Sequence, residues 1–276
     1  MNEKLLSLPP VAEMMREAGM EPKKQLGQNF LFDLNLTLKI ARAVPDIENS
    51  VVLEVGPGPG GLTRALLMAG AKKVIAIEKD HATEPILEKI AAAADGRLEV
   101  IYGDALKRTK DEGQRTNWAV CSNLPYNVGT ELLIQWLRLI GEPSSLVLRP
   151  SSLTLMFQRE VAERIVAKVG DSQYGRLAVL TSLVADAKIL FNVPNTAFVP
   201  QPKVQSAVVQ IIPKDNKIIR LSLIEKLTAK LFGQRRKMIR GIMPDVDWAK
   251  FGLVGTERAE ELSPDKFAEI ASEIML

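Results

Sequence analysis

Apolar residues along the chain follow two rhythms, and their alternation predicts an α/β fold. Val51-Val52-Leu53-Glu54-Val55 is a short, largely β-branched run closed by Gly56, which predicts a buried strand. Residues 74–77, 98–102, 118–121, 187–191 and 204–212 read as further strands, and 145–148 as another. Helical spacing appears over residues 35–44, where Leu36, Ile40 and Val44 share a face, and over 62–68, 82–94, 130–139, 153–169 and 177–184. Residues 1–22 read as a first helix ending near Gly19-Met20, with Pro22 beyond it as a stop signal. The stretch from Lys23 to Leu31 is too irregular for a strand and reads as a loop. After residue 213 no strand signal returns, and residues 221–232, 235–242 and 264–274 read as helices. The expected organisation is a sheet domain over residues 1–213, with helices on both faces, and a small all-α domain over 214–276.

Composition narrows the class. The chain has 276 residues, 46% hydrophobic and 25% charged, which suits a globular protein of one large or two unequal domains. No apolar run reaches the ~20 residues that a membrane helix needs. Residues 1–10 lack the apolar core of a signal peptide. Cys121 is the only cysteine, so no internal disulfide can form; a cytoplasmic location is expected. His81 is the only histidine, which leaves a zinc site of the usual type without ligands. The net charge of +3 says little about a nucleic-acid partner, so the placement of basic residues matters more.

Candidate chemistry gathers at predicted strand ends. Gly56-Pro57-Gly58-Pro59-Gly60-Gly61 joins a strand to a helix, a turn that lets backbone approach a ligand and offers helix N–H groups to it. Glu78 ends the next strand, 22 positions after Gly56, near the spacing of a ribose-binding carboxylate. This spacing fits an NAD enzyme and any other user of an adenosine cofactor equally. Asp104 is a second strand-end carboxylate, either a helix cap or a partner for an adenine amine. Asn123-Leu124-Pro125-Tyr126 follows the strand at 118–121. It is either a Pro-Tyr turn or a site for methyl transfer to an exocyclic amine. For the second task, the Asn123 side chain and the Leu124 carbonyl would accept the two N–H bonds of the amine. Pro125 would fix the direction of that carbonyl, and Tyr126 would stack on the base. Two basic segments stand out. Lys23 and Lys24 begin a loop that either packs on the core or contacts phosphates, and Arg235, Arg236, Lys237 and Arg240 form either a solvated helix face or a phosphate track.

Taken together, six stretches closely resemble the bacterial small-subunit ribosomal RNA adenine dimethyltransferases, from about residue 8 to the C-terminus. They are residues 24–31 (Lys-Gln-Leu-Gly-Gln-Asn-Phe-Leu), 54–63, 123–127, 158–164, 198–204 (Phe-Val-Pro-Gln-Pro-Lys-Val) and 234–237. The resemblance implies a Rossmann-like S-adenosylmethionine methyltransferase sheet and dimethylation of N6 on two adjacent adenosines near the 3′ end of 16S rRNA. It implies S-adenosyl-L-methionine as donor, S-adenosyl-L-homocysteine as product and no metal. The partner it implies is 16S rRNA within the immature small subunit, with no membrane and with the enzyme as a monomer. By the same resemblance Asn29 and Leu31 cover the cofactor, and Gly56 and Gly58 approach its amino-acid part. Glu78 takes the ribose hydroxyls, Asp104 the adenine amine, and Asn123 lies between cofactor and target. Cys121-Ser122, Met238 and Gly241 depart slightly from the family pattern.

The mechanism expected is direct displacement on a flipped base, with Tyr126 on one face and Phe198 as the second aromatic. Two rivals from the same fold are the large-subunit rRNA methyltransferases of the macrolide-resistance type and a non-catalytic ribosome-assembly factor. A nicotinamide dehydrogenase is disfavoured, because it would lack a candidate proton donor: His81, the one histidine, lies at a predicted helix start.

Overall fold

Successive side chains on the central strands point to opposite faces of one sheet, and both faces are apolar. Leu53, Val55, Ile75 and Ile77 pack into one core cluster, while Val52, Val74 and Ala76 pack into another. The structure, a computed structural model, describes residues 3–23, 27–107, 117–142, 149–215 and 219–274.

In chain order the strands are β1 (Phe30–Leu31), β2 (Val51–Val55), β3 (Lys73–Glu78), β4 (Leu98–Tyr102), β5 (Trp118–Asn123) and β6 (Ser152–Gln158). They continue with β7 (Ala185–Val193), β8 (Phe198–Val199) and β9 (Ser206–Pro213). Seven of them form a sheet in the order β4-β3-β2-β5-β6-β9-β7. The first five in that order are mutually parallel, and β9 runs antiparallel between β6 and β7. The chain leaves β2 toward β3 and β4 on one side, then returns to β5 on the other. That reversal opens a crevice at the carboxyl ends of β2 and β5, where open α/β sheets bind ligands.

One face is covered by helices Leu34–Ala41, Gly61–Met68 and Glu84–Ala93, and the other by Gly129–Gly141 and Arg176–Val184. Asp33 starts the first of these by accepting hydrogen bonds from the Asn35 and Leu36 N–H groups. Strand structure ends at Pro213, and helices Leu221–Phe232 and Pro264–Ile274 follow. Their buried residues, Leu227, Leu231, Phe267 and Ile270 among them, belong to the same cluster as Leu53 and Val55. A bidentate pair from Arg138 to Glu225, at 2.5 and 2.6 Å, also ties Leu221–Phe232 to Gly129–Gly141.

The structure corrects several expectations. Residues 153–169 are not one helix: β6 occupies Ser152–Gln158, and a helix spans only Arg159–Val166. β6 lies between β5 and β9 with its first six residues buried, so it carries none of the polar alternation that marks a half-exposed strand. The first helix is two, Glu3–Ser7 and Val11–Glu17, separated at Pro9-Pro10. The loop at 23–31 ends in a strand, because Phe30 and Leu31 pair with Val199 and Phe198. Helix 235–242 is absent: the chain turns through 233–237 and only Ile239–Ile242 is helical. The Ile239 and Arg240 N–H groups bond instead to the Glu257 and Gly255 carbonyls, so the upstream turn cannot supply their acceptors. The strand expected at 145–148 lies outside the described residues. Among the described residues, no helix is long and apolar enough to cross a membrane.

Candidate active site

A cavity of about 300 Å³ occupies the crevice at the carboxyl ends of β2 and β5. Its size is at the lower end of small-molecule sites. Asn29, Leu31, Gly56, Gly58, Glu78, Asp104, Asn123, Leu124, Pro125 and Tyr126 all line it. Gly56, Glu78, Asp104 and Asn123 meet there because each ends or follows a parallel strand whose carboxyl end faces the same edge, while Asn29 and Leu31 are brought to it by the pairing of β1 with β8.

The glycine turn makes the floor. Gly56 and Gly58 have φ of +67° and +54°, a region that side-chain-bearing residues rarely adopt. A Cβ on Gly58 would sit 2.7 Å from the Phe30 ring, and one on Gly56 would press on the Pro125 ring at 3.3 Å. The turn is therefore in direct contact with both the covering segment and the Asn-Leu-Pro-Tyr loop.

Glu78 is a strut as well as a candidate ligand. Its Oε2 accepts from the Gly58 N–H at 2.9 Å, and its Oε1 from the Lys79 and Asp80 N–H groups at 2.7 and 2.8 Å. Burial raises its pKa, although these three donors oppose the shift. A carboxylate has about four lone-pair sites, so roughly one remains for a ligand hydroxyl. Sequence reasoning missed this bracing of the turn. Asp104 lines the cavity, and its Oδ1 also caps the following turn by accepting from the Leu106 N–H at 3.1 Å.

Asn123 is oriented by the covering segment. Its Nδ2 donates to the Asn29 carbonyl at 3.1 Å. Since a carbonyl only accepts, the nitrogen must be the end that faces Asn29, which leaves Oδ1 as the end available to a ligand N–H. The Leu124 side chain is buried, 2% exposed, and anchors the loop in the core. The Tyr126 ring is half-buried, and its hydroxyl is hydrogen-bonded to Ser206 Oγ at 3.0 Å.

Other expected residues lie elsewhere. Phe198 does not line the cavity: its ring is 2% exposed and packed in the core. Pairing of β1 with β8 draws it inward, so in this structure it offers no face to a base. Lys23 donates to the buried Asp80 carboxylate at 2.7 Å, and Gln28 donates to the other oxygen at 3.1 Å. Burial pulls the Asp80 pKa upward, but these donors and the Ala82 N–H outweigh it and hold it below the usual aspartate value. Lys23 thus fastens the covering segment rather than standing free for a phosphate, while Lys24 lies outside the described residues. Arg235 pairs with Glu260 and donates to the Ser172 carbonyl. Arg236, Lys237 and Arg240 are exposed on the turn and the short helix after it. Arg159 pairs with Glu163, and Arg164 with Glu160, as their spacing predicts.

The sequence pattern of the ribosomal RNA adenine dimethylases matches residues 19–275. The chain belongs to the ribosomal RNA adenine dimethylase family. A "Ribosomal RNA small subunit methyltransferase A" of Chelativorans sp. (strain BNC1) is 50% identical to this dimethylase over 274 residues, which are 97% of this chain and 98% of that one. The protein of the same name in Azorhizobium caulinodans is 51% identical over 275 residues, 96% and 92% of the two chains. Among solved structures, a dimethyladenosine transferase from Plasmodium falciparum aligns with a TM-score of 0.71 and 26% identity, covering 86% of this chain and 94% of that one. The 23S rRNA methyltransferase ErmE aligns at 0.64 with 21% identity, covering 90% and 100%, a likeness that shows the fold alone. The dimethylase is therefore an S-adenosylmethionine-dependent enzyme that methylates adenine in ribosomal RNA. The cavity suits that cofactor, with a glycine turn whose backbone borders it directly and a buried carboxylate 20 positions beyond Gly58.

Proposed function

We propose that the chain dimethylates N6 of two adjacent adenosines near the 3′ end of 16S rRNA in the immature small subunit. The observation that carries this reading is the fixed amide of Asn123. Adenine N6 is a poor nucleophile because its lone pair is delocalised into the ring. With Nδ2 held by the Asn29 carbonyl, Asn123 Oδ1 accepts one amine N–H, and the Leu124 carbonyl accepts the other. Both bonds turn the lone pair out of conjugation. Tyr126 stacks on the flipped base, its ring held in place by Ser206. When bound, S-adenosylmethionine supplies a methyl group activated by a sulfonium. Asn123 and Leu124 would hold the amine nitrogen toward that methyl group, and the amine proton, acidic once the methyl is attached, would pass to solvent. Glu78 and Asp104 hold the ribose and adenine of the cofactor, and Asn29 and Leu31 cover it. Arg236, Lys237 and Arg240 lie free to contact rRNA phosphates.

The small-subunit choice follows the relatives of about 50% identity, which are named as small-subunit enzymes. The test is mass spectrometry of 16S and 23S rRNA after immature small subunits and large subunits are each incubated with enzyme and labelled S-adenosylmethionine. Two neighbouring dimethyladenosines are expected in the 3′-terminal fragment of 16S rRNA. Label in 23S rRNA alone overturns the assignment. Asn123→Ala should slow the single-turnover rate about 10²–10³-fold, the usual effect of removing one preorganised polar group. Affinity for subunits should stay within a factor of about two.

A further inference from the structure

A second cavity, about 360 Å³, opens on the far side of helix Gly129–Gly141 from the first. Val128 and Leu132 line the first cavity, while Thr130 and Ile134 line the second. Two positions along a helix turn about 200°, so the two pairs face opposite ways and one helix forms a wall of both sites. The floor of the second cavity is apolar, built from Ile134, Leu177, Leu180 and the partly exposed ring of Phe232. Its rim carries three arginines: Arg164, Arg176 and Arg235.

Two of these are already neutralised, Arg164 by Glu160 and Arg235 by Glu260. Among the described residues the exposed Arg176 side chain has no ion-pair or hydrogen-bond partner. It is also the first residue of helix Arg176–Val184, whose start has no side-chain cap. A cation there opposes the helix dipole, and the first N–H groups of the helix lack acceptors. An anion at this spot would satisfy the guanidinium and the helix start together. The adjoining apolar floor suits a planar, uncharged group attached to that anion. A phosphate joined to a base combines the two.

We propose that this cleft binds one nucleotide of the RNA that flanks the target adenosine, its phosphate on Arg176 and its base on the floor between Ile134, Leu177 and Phe232. The inference rests on the reading that the substrate is ribosomal RNA. It places the flanking strand against the same helix that follows the Asn-Leu-Pro-Tyr loop, so the RNA is gripped on both sides of that helix.

The test uses the full chain and immature small subunits, with Arg176→Gln and Arg176→Glu. The exposed helix-start position predicts melting temperatures equal to or slightly above wild type, since the cation opposing the dipole is gone, and equal S-adenosylhomocysteine affinities. For Arg176→Gln the salt slope of subunit binding should drop by about 0.7, the value for one single-strand phosphate contact. Arg176→Glu should weaken binding at least tenfold. A photo-crosslinking residue at Gln173 should capture a nucleotide within a few positions of the modified adenosines. An unchanged salt slope in both variants overturns the site, as does a crosslink to ribosomal protein instead of RNA. Wild-type methylation of 16S rRNA, measured in parallel, separates this failure from that of the functional reading. If wild type neither binds nor methylates subunits, both fall.

Discussion

Glu54 should make the enzyme less stable as pH rises through neutrality. It sits on β2 beneath the glycine turn, 1% exposed, with one hydrogen bond, from Thr63 Oγ1 at 2.6 Å. Burial pushes its pKa up from 4.5 to about 8; the Thr63 hydrogen bond opposes the shift and the neighbouring Glu78 adds to it. Between about pH 4.5 and 8 the folded protein therefore holds a proton that the unfolded chain has released. Stability is highest below the unfolded pKa and falls as pH rises through this window, by up to about 1.4 kcal/mol per pH unit. Glu54→Gln keeps the acceptor for Thr63 and cannot ionise. The assay is urea unfolding of both proteins at pH 5.5, 6.5 and 7.5, compared as a difference so that other groups cancel. Wild type should lose about 2.5 kcal/mol relative to Glu54→Gln over those two units. Parallel curves would refute the reasoning and mean that Glu54 is ionised in the folded protein.

Three further predictions follow from the site. Glu78→Gln should weaken S-adenosylmethionine binding by about 1.5–3 kcal/mol and cost some stability, since its oxygen can keep the Lys79 and Asp80 N–H bonds but its NH2 cannot accept from Gly58, whereas Glu78→Ala should lower the melting temperature further, since all three N–H groups lose their acceptor; calorimetry beside thermal melts separates the two effects. Tyr126→Phe should keep most of the single-turnover rate but lose about 1–3 kcal/mol of stability, because the fully buried Ser206 hydroxyl loses its partner; if it is as inactive as Tyr126→Ala, stacking is not the role of this ring. Arg64→Met should destabilise the protein by about 2–3 kcal/mol with cofactor affinity unchanged, because its buried guanidinium donates to the Leu6, Leu8 and Pro9 carbonyls; an unaltered melting temperature would remove that role.

The sheet was legible where strands are β-branched and end in glycine or a carboxylate, as at Val51–Val55 and Lys73–Glu78. Convergence of Gly56, Glu78, Asp104 and Asn123 was legible too, because a parallel sheet brings its strand ends to one edge. β6 was not, since Leu153, Met156, Phe157 and Val161 also match helical spacing, and a strand buried on both faces has no contrasting polar period. Contacts distant in sequence left no local signal either. Nothing near Phe198 announces its pairing with Leu31, and nothing near Arg235 announces Glu260. The burial of Glu54 was hidden for the same reason, because its bond to Thr63 and the helices that cover it leave no local signal.

The pairing of β1 with β8 works as an interlock. Phe30 and Leu31 line the cavity while joined to Val199 and Phe198, and the carbonyl of the preceding Asn29 holds the Asn123 amide. If exchange of a spent cofactor lifts that segment, the strand pair breaks and the amide is freed to rotate. A site opened in that way would be not only unloaded but unable to orient an amine. Four methyl transfers to one RNA would each require the interlock to open and close again, so the rate of re-closing sets a ceiling on how fast the full set of modifications can be completed.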